Sequence, residues 1–196
     1  MIPTLDECER LYAKVAQLNL RTDLQGWHAG EPIFEDLVKR LAPGPITYIE
    51  VGSWKGASMV RVNHLAKFLN IPIKNYAVDF WSEQPGLYEQ FLHNMRALSI
   101  DRDVVPIQGH SFDAALALSA EGIAANLIYL DADHTRNGCL ADMVAYYPLL
   151  APRGIMFGDD YTEERGVKEA VMSFCMAHRI RPEVTTYYHW QLPPKP

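Results

Sequence analysis

The amino-acid sequence predicts an α/β fold, a doubly wound domain with a mostly parallel sheet and N-terminal helices. Three observations carry that prediction. Short β-rich runs alternate with amphipathic stretches along most of the 196 residues. The helical stretches between the strands are roughly 10–15 residues long, the spacing of βαβ units. Several strand runs are apolar throughout rather than alternating, as burial on both faces requires.

Taken in order, the first clear helix opens at Pro32, with Phe34, Leu37, Val38 and Leu41 at i, i+3, i+4 and i+7. Proline is tolerated in its first turn, and Pro43-Gly44-Pro45 stops it. Ile46–Val51 reads as a strand and runs into a Gly/Ser turn. A second helix follows, with Val62, Leu65, Ala66 and Leu69 on one face. Further strands are expected at Tyr76–Phe80, Val104–Gln108, Leu127–Asp131 and Gly154–Phe157. Helical stripes are expected at Leu140, Met143, Val144 and Tyr147, and again at Val167, Ala170, Val171 and Phe174. The Thr-, Tyr- and Val-rich tail, Glu183 to Leu192, is expected to add one edge strand.

Length and charge narrow the function. A chain of 196 residues supports one full core. A net charge of −6 argues against a nucleic-acid partner, which needs a basic surface. No run of about 20 apolar residues is present to span a membrane. The acidic start MIPTLDECERLY lacks the layout of a signal peptide. Cys8, Cys139 and Cys175 are odd in number, scattered, and form no CxxC, so they read as thiols of a reducing compartment. A cytoplasmic location is expected.

In open α/β sheets ligands bind beyond the carboxyl ends of the strands. Those ends carry Glu50-Val-Gly52, Asp79, Gly109-His-Ser111, Asp131 and Asp159-Asp160, so acids stand at all but one of them. In Glu50-Val-Gly-Ser-Trp-Lys-Gly-Ala-Ser58 the glycines at 52 and 56 permit a sharp turn and close approach of a ligand to the N–H groups of the following helix. The spacing is GxxxG, not the GxGxxG of nicotinamide-binding folds. Taken alone, it also fits a plain strand-to-helix turn. Asp79, one βα unit later, is placed to accept both hydroxyls of a ribose.

Asp131, Asp133, Asp159 and Asp160 form a second group. Adjacent strands lie about 4.8 Å apart, so carboxylates at neighbouring tips repel one another unless a cation compensates. Oxygen ligands without nearby cysteine suit Mg²⁺, Mn²⁺ or Ca²⁺. The plain alternative is that these acids cap helices or face solvent. His134 reads either as a general base titrating near neutral pH or as an exposed loop residue ahead of a helix that starts near Asn137. The four tryptophans, Trp27, Trp54, Trp81 and Trp190, read first as packing residues, with the acceptor or adenine pocket as the other place for them.

Tyr48-Ile-Glu-Val-Gly-Ser-Trp-Lys-Gly-Ala-Ser58 resembles the first motif of class I S-adenosylmethionine methyltransferases. Leu127-Ile-Tyr-Leu-Asp-Ala-Asp-His134 and Tyr147-Pro-Leu-Leu-Ala-Pro-Arg-Gly-Ile-Met-Phe-Gly-Asp-Asp-Tyr161 resemble their fourth and fifth strands. The resemblance, over roughly residues 26–175, is closest to the branch of macrocin and cephalosporin-pathway O-methyltransferases. It extends to Tyr88-Glu-Gln-Phe-Leu-His-Asn94 and is more distant to catechol O-methyltransferase. It implies one methyltransferase domain over 1–196, with N-terminal helices in 1–44, a cofactor-binding core in 45–175 and a tail or edge strand in 176–196.

The resemblance also implies roles. Gly52, Ser53 and Ser58 match residues around the methionine part of the cofactor, and Glu50 and Gly56 belong to the same set. Asp79 matches the ribose ligand, while Phe80 and Ser111 match adenine contacts. Asp131, Asp159 and Asp160 match metal ligands, and Asp131 is expected to serve the cofactor site and catalysis as well. Catechol-type relatives carry Asp-Asn where this chain has Asp159-Asp160, which makes the site here more negative. Ala132 replaces a glycine common in the branch. His134 matches a lysine general base. The activity implied is divalent-metal-assisted O-methylation of a small hydroxylated acceptor (sugar, polyol or phenol), with S-adenosylmethionine as donor and Mg²⁺, or else Ca²⁺ or Mn²⁺, as the ion. A homodimer fits the branch. Metal-independent N-methylation, a nicotinamide oxidoreductase and a non-catalytic nucleotide-binding protein are the alternatives.

Overall fold

The computed structural model describes residues 1–25, 32–184 and 188–196. Its sheet has strands β1 (Ile46–Val51), β2 (Ile73–Asp79), β3 (Val104–Gln108), β4 (Ala125–Leu130), β5 (Leu150–Gly158), β6 (Glu183–Val184) and β7 (Trp190–Gln191). They lie in the order β3-β2-β1-β4-β5-β7-β6. The first five are mutually parallel, as expected for βαβ units. The order reverses between β1 and β4, and that switch point opens the crevice for a ligand. Every residue of β1 except Thr47 is buried, Glu50 included, and so are Leu127–Leu130 of β4, whose unbroken apolar run this burial explains.

Helices α1 (Leu5–Val15), α2 (Pro32–Leu41), α3 (Ala57–Phe68), α4 (Leu87–Ala97), α5 (Ser111–Ala120), α6 (Arg136–Tyr146) and α7 (Arg165–His178) cover the sheet. Thr4 and Glu7 form a capping box that starts α1. Cys8, Tyr12 and Val15 face inward from it, and the Tyr12 hydroxyl donates to the Val104 carbonyl at 3.1 Å. Phe34 on α2 lies edge-on to Tyr129 and Phe157, with ring centroids 5.2 and 5.5 Å away, and so seats α2 on the middle of the sheet.

Three expectations need revision. The tail forms two short strands instead of one. β7 pairs antiparallel with β5, β6 pairs antiparallel with β7, and the intervening residues 185–187 lie outside the described residues. On α6 the inward face is Cys139, Asp142, Met143 and Tyr146, whereas Val144 is exposed. Three helices, α1, α4 and α5, carry no apolar stripe among those expected from the sequence. In α5, alanines and a leucine face inward while Phe112 and Leu116 face outward, so apolar residues occur all round and erase the periodicity. Among the described residues, no helix is long and apolar enough to cross a membrane.

Candidate functional site

The carboxyl end of β1 leads into a loop whose shape demands glycine. Gly52 has φ +89° and its N–H donates to the Val78 carbonyl at 2.8 Å, so it extends the pairing with β2. A Cβ at this position would lie 1.9 Å from the Asp131 carbonyl oxygen. The close approach expected here between glycine and ligand is therefore, in the protein alone, one between glycine and the tip of β4. Gly56, with φ +83°, caps α3, where a Cβ would strike Met95 and Phe91.

Asp79 joins this loop to the next. One carboxylate oxygen accepts the Trp54 N–H and the other the Trp81 N–H, both at 2.7 Å. The Trp81 indole N–H then donates to the Trp54 carbonyl at 2.7 Å. Burial raises the Asp79 pKa, and the two amide donors oppose that rise. Each oxygen keeps a lone pair for a further donor. Trp54 lines the cavity, whereas Trp81 and Trp190 are core residues and Trp27 lies outside the described residues.

The loop is also held from outside. Lys55 Nζ lies 2.6 Å from the Asp23 carboxylate. The Asn94 side chain donates to the backbone carbonyls of Asp23 and Lys55 at 2.7 and 2.8 Å, and accepts the Asp23 N–H at 3.1 Å. Asp23, Lys55 and Asn94 thus form a clasp between the N-terminal segment, the glycine loop and α4.

A cavity of ≈ 1280 Å³ opens over the strand tips. Pockets for single ligands span roughly 300–1,000 Å³, so there is room for a nucleoside-sized molecule and a small second one. Gly52, Ser53, Gly56 and Ser58 line one side, and Asp79, Phe80 and Ser111 another. Glu50 does not line it. Its side chain is wholly buried beneath the loop, accepts the Tyr48 hydroxyl at 2.6 Å, and leaves Oε1 without a hydrogen bond. Burial pushes the Glu50 carboxyl up to about 8.

The acids stand at the other end of the cavity. The β4–β5 register places Leu130 beside Gly158, so Asp131 and Asp159 follow on neighbouring strands. His134 Nε2 lies 3.5 Å from Asp131 Oδ1 and 3.0 Å from Asp160 Oδ2. Asp131, His134 and Asp160 each offer one ligand atom within 4.8 Å of the others. Asp159 is not in this group. It is buried, accepts the Asp160 N–H at 2.8 Å, and lies 3.9 Å from His189 Nε2. Asp133 accepts the Thr135 N–H at 2.8 Å where α6 begins.

The charges in this group are interdependent. Burial raises the Asp131 carboxyl, as does the charge of Asp159, while His134 lowers it. Burial likewise lifts Asp160 to about 6. The Asp131 hydrogen bond raises His134 most, burial opposes it, and the charge of Asp160 adds to the rise, which carries the imidazole up to about 9. The expected near-neutral titration of His134 is therefore not found, because two carboxylates stabilise the imidazolium. That imidazolium sits where the carboxylates converge, so the fold already places positive charge at the point where a cation would neutralise them.

Asp142 was not among the expected site residues. It lies buried on α6, lines the cavity, and accepts the Ser111 hydroxyl at 2.5 Å. Its signal in the sequence is slight, a lone acid in the inward stripe of Cys139, Met143 and Tyr146. Lys55 and Asn94 stand within the segments that carry the resemblance, but nothing in the sequence pairs them, because their shared partner Asp23 is remote in the chain.

Comparison with known proteins bears on this geometry. The profile of a family described as "Methyltransferase domain" matches residues 49–161. No curated protein matches in sequence. Among solved structures, an O-methyltransferase from Bacillus cereus in complex with SAH superposes with a TM-score of 0.64 at 15% identity, covering 100% of this chain and 93% of that one. CalS11, a TDP-rhamnose 3'-O-methyltransferase of calicheamicin biosynthesis, superposes at 0.69 and 14% identity, covering 98% and 96%. The SAH-bound methyltransferase PaMTH1 of Podospora anserina gives 0.67 at 13% identity, covering 100% and 89%. At these identities the likeness is one of fold.

Proposed function

Since its family match spans more than half of the chain, this protein belongs to the methyltransferase-domain family, and we propose that it transfers a methyl group from S-adenosylmethionine to a hydroxyl oxygen. The observation that carries the choice of oxygen is the convergence of Asp131 and Asp160 on His134 at the cavity wall opposite Asp79. In the reaction a C–O bond forms as the C–S bond of the sulfonium breaks, S-adenosylhomocysteine leaves as a neutral thioether, and the hydroxyl proton must be removed. The sulfonium is already an activated donor, so the protein's task is positioning and deprotonation.

The chain's residues divide that task. Gly52, Ser53, Gly56 and Ser58 shape the wall for the methionine part, with Glu50 buried beneath them, and Asp79 takes the ribose hydroxyls. Phe80 and Ser111 flank the adenine. His134 Nε2 receives the hydroxyl proton in its neutral form, so the proton that Asp131 and Asp160 hold there in the ligand-free protein must leave first, and the two carboxylates stabilise the imidazolium that results. Two converging carboxylates fit a hard divalent ion such as Mg²⁺, Mn²⁺ or Ca²⁺, with the His134 imidazole left for the proton. Asp131 and Asp160 would hold it, with Asp159 fixing Asp160 from behind. When bound, such an ion lowers the pKa of an acceptor hydroxyl.

The acceptor is a small, hydroxylated, non-anionic molecule. Among the described residues the cavity wall bears one lysine, Lys55, already paired with Asp23, whereas Asp133, Glu163 and Glu164 add negative charge near His134. A phosphorylated or carboxylated acceptor would meet repulsion there.

The test is labelled-methyl transfer to a panel of sugars, polyols, phenols and amines, with and without chelator. Transfer to a hydroxyl that is lost in excess chelator and restored by Mg²⁺ is expected. Undiminished transfer in chelator would remove the ion from the reading, and transfer to amines alone would replace it with metal-independent N-methylation.

A further inference from the structure

The donor reading leaves one buried acid on the cavity wall without a task. Asp142 is 5% exposed, in the middle of the inward face of α6. One carboxylate oxygen accepts the Ser111 hydroxyl at 2.5 Å, and among the described residues the other has no protein donor. Ser111 is itself fixed, because its carbonyl accepts the Tyr146 hydroxyl at 2.8 Å. Beside Ser111, the His110 ring packs on Phe80 with centroids 4.6 Å apart, and Phe80 follows Asp79. Asp79, Phe80, His110, Ser111 and Asp142 all line the same cavity. A ribose on Asp79 would therefore direct its base along an aromatic patch toward the unused oxygen of Asp142.

We propose that Asp142 accepts a hydrogen bond from the exocyclic amino group of the donor's adenine and sets the protein's preference for adenine over a 6-oxo purine. This rests on the S-adenosylmethionine reading above. A buried carboxylate with one hydroxyl partner is costly to keep, and burial accordingly pushes Asp142 up to about 6, with Ser111 pulling the other way. An amino group entering the cavity supplies the second donor. A 6-oxo purine presents a carbonyl oxygen there, which faces the carboxylate with no hydrogen between them.

The competing explanation is that the Ser111–Asp142 bond only ties α5 to α6. Calorimetry with S-adenosylhomocysteine and S-inosylhomocysteine separates the two. The native protein is expected to favour the adenosyl compound by roughly tenfold to a hundredfold, the range implied by leaving one buried acceptor unpaired. Asp142→Asn, whose amide can still hold Ser111, should collapse that ratio toward unity while thermal unfolding of the ligand-free protein stays near native. Ser111→Ala, which removes the tether and keeps the carboxylate, should preserve the ratio. An unchanged ratio in Asp142→Asn overturns the assignment, as does a native protein that binds both compounds equally. A native protein that binds neither compound defeats the donor reading itself, and this assignment falls with it.

Discussion

The carbonyl oxygen of Asp131 occupies the space where Gly52 would carry a Cβ, 1.9 Å from that position. The turn assigned to the donor and the strand tip that bears the central acid are therefore packed backbone to backbone. Gly52→Ala should disturb both at once. A positive φ costs a non-glycine residue about 1–3 kcal/mol, and the clash adds to that. Thermal unfolding should show a lowered midpoint, and calorimetry a loss of S-adenosylhomocysteine binding. A variant with native stability and affinity would mean that the two segments part easily.

Asp79 should contribute to donor binding beyond a single hydrogen bond, since it also holds the Trp54 and Trp81 amides. Asp79→Ala is expected to weaken S-adenosylhomocysteine by about 1.5–3 kcal/mol, the range for bonds to a charged group. Asp79→Asn should be nearly as damaging, because its amide turns a donor toward one of those N–H groups. Titration calorimetry on both variants checks this.

His134 should titrate near 9 in the ligand-free protein. Because the folded pKa is raised above the unfolded value of about 6.5, the interaction stabilises the fold fully below that value and is lost as pH rises through about 9. NMR of the imidazole protons should show this, with a lower pKa in Asp160→Asn and a further fall when Mg²⁺ is added to the native protein. No response to Mg²⁺ would argue against a cation at Asp131 and Asp160. If His134 is the base, His134→Ala should lose about 10²–10⁴ in turnover while donor affinity is unchanged.

Glu50 predicts a stabilising substitution. Its folded pKa of about 8 exceeds that of an unfolded glutamate, so the native state holds a proton that the unfolded chain releases, and stability falls as pH rises between the two values. Glu50→Gln removes that penalty and can still accept from the Tyr48 hydroxyl. Urea unfolding should show little change near pH 4 and a gain on the order of a few kcal/mol above pH 8. A loss at high pH would show that the charged form is stabilised by a group not identified above.

What could be read from the sequence was local or periodic. The bounds of β1 follow from a β-rich run between Pro45 and Gly52, those of β3 from one between Asp103 and Gly109, and the acids at the strand tips follow from where such runs stop. What could not be read depends on partners distant in the chain. His134 lies three residues after Asp131 in the loop before α6, yet its titration depends also on Asp160, which only the β4–β5 register brings near. Asp142 looks like an interruption of an apolar stripe until α5 delivers Ser111 to it. The Asp159-Asp160 pair shows the same gap. Its position at a tip was legible, but the turn that sends one side chain toward His189 and the other toward His134 was not.

The clasp of Asp23, Lys55 and Asn94 makes the first helix and its following segment mechanical parts of a pocket that they barely touch. Of residues 1–25, Gln25 alone lines the cavity. Trimming the chain from its amino end would nonetheless release Lys55, uncover α4 and loosen the glycine loop from behind. A deletion series would thus credit the amino-terminal arm with donor affinity that it supplies only as a brace. Charge reversal at Asp23 alone, leaving every other residue of the arm in place, distinguishes a brace from a binding surface.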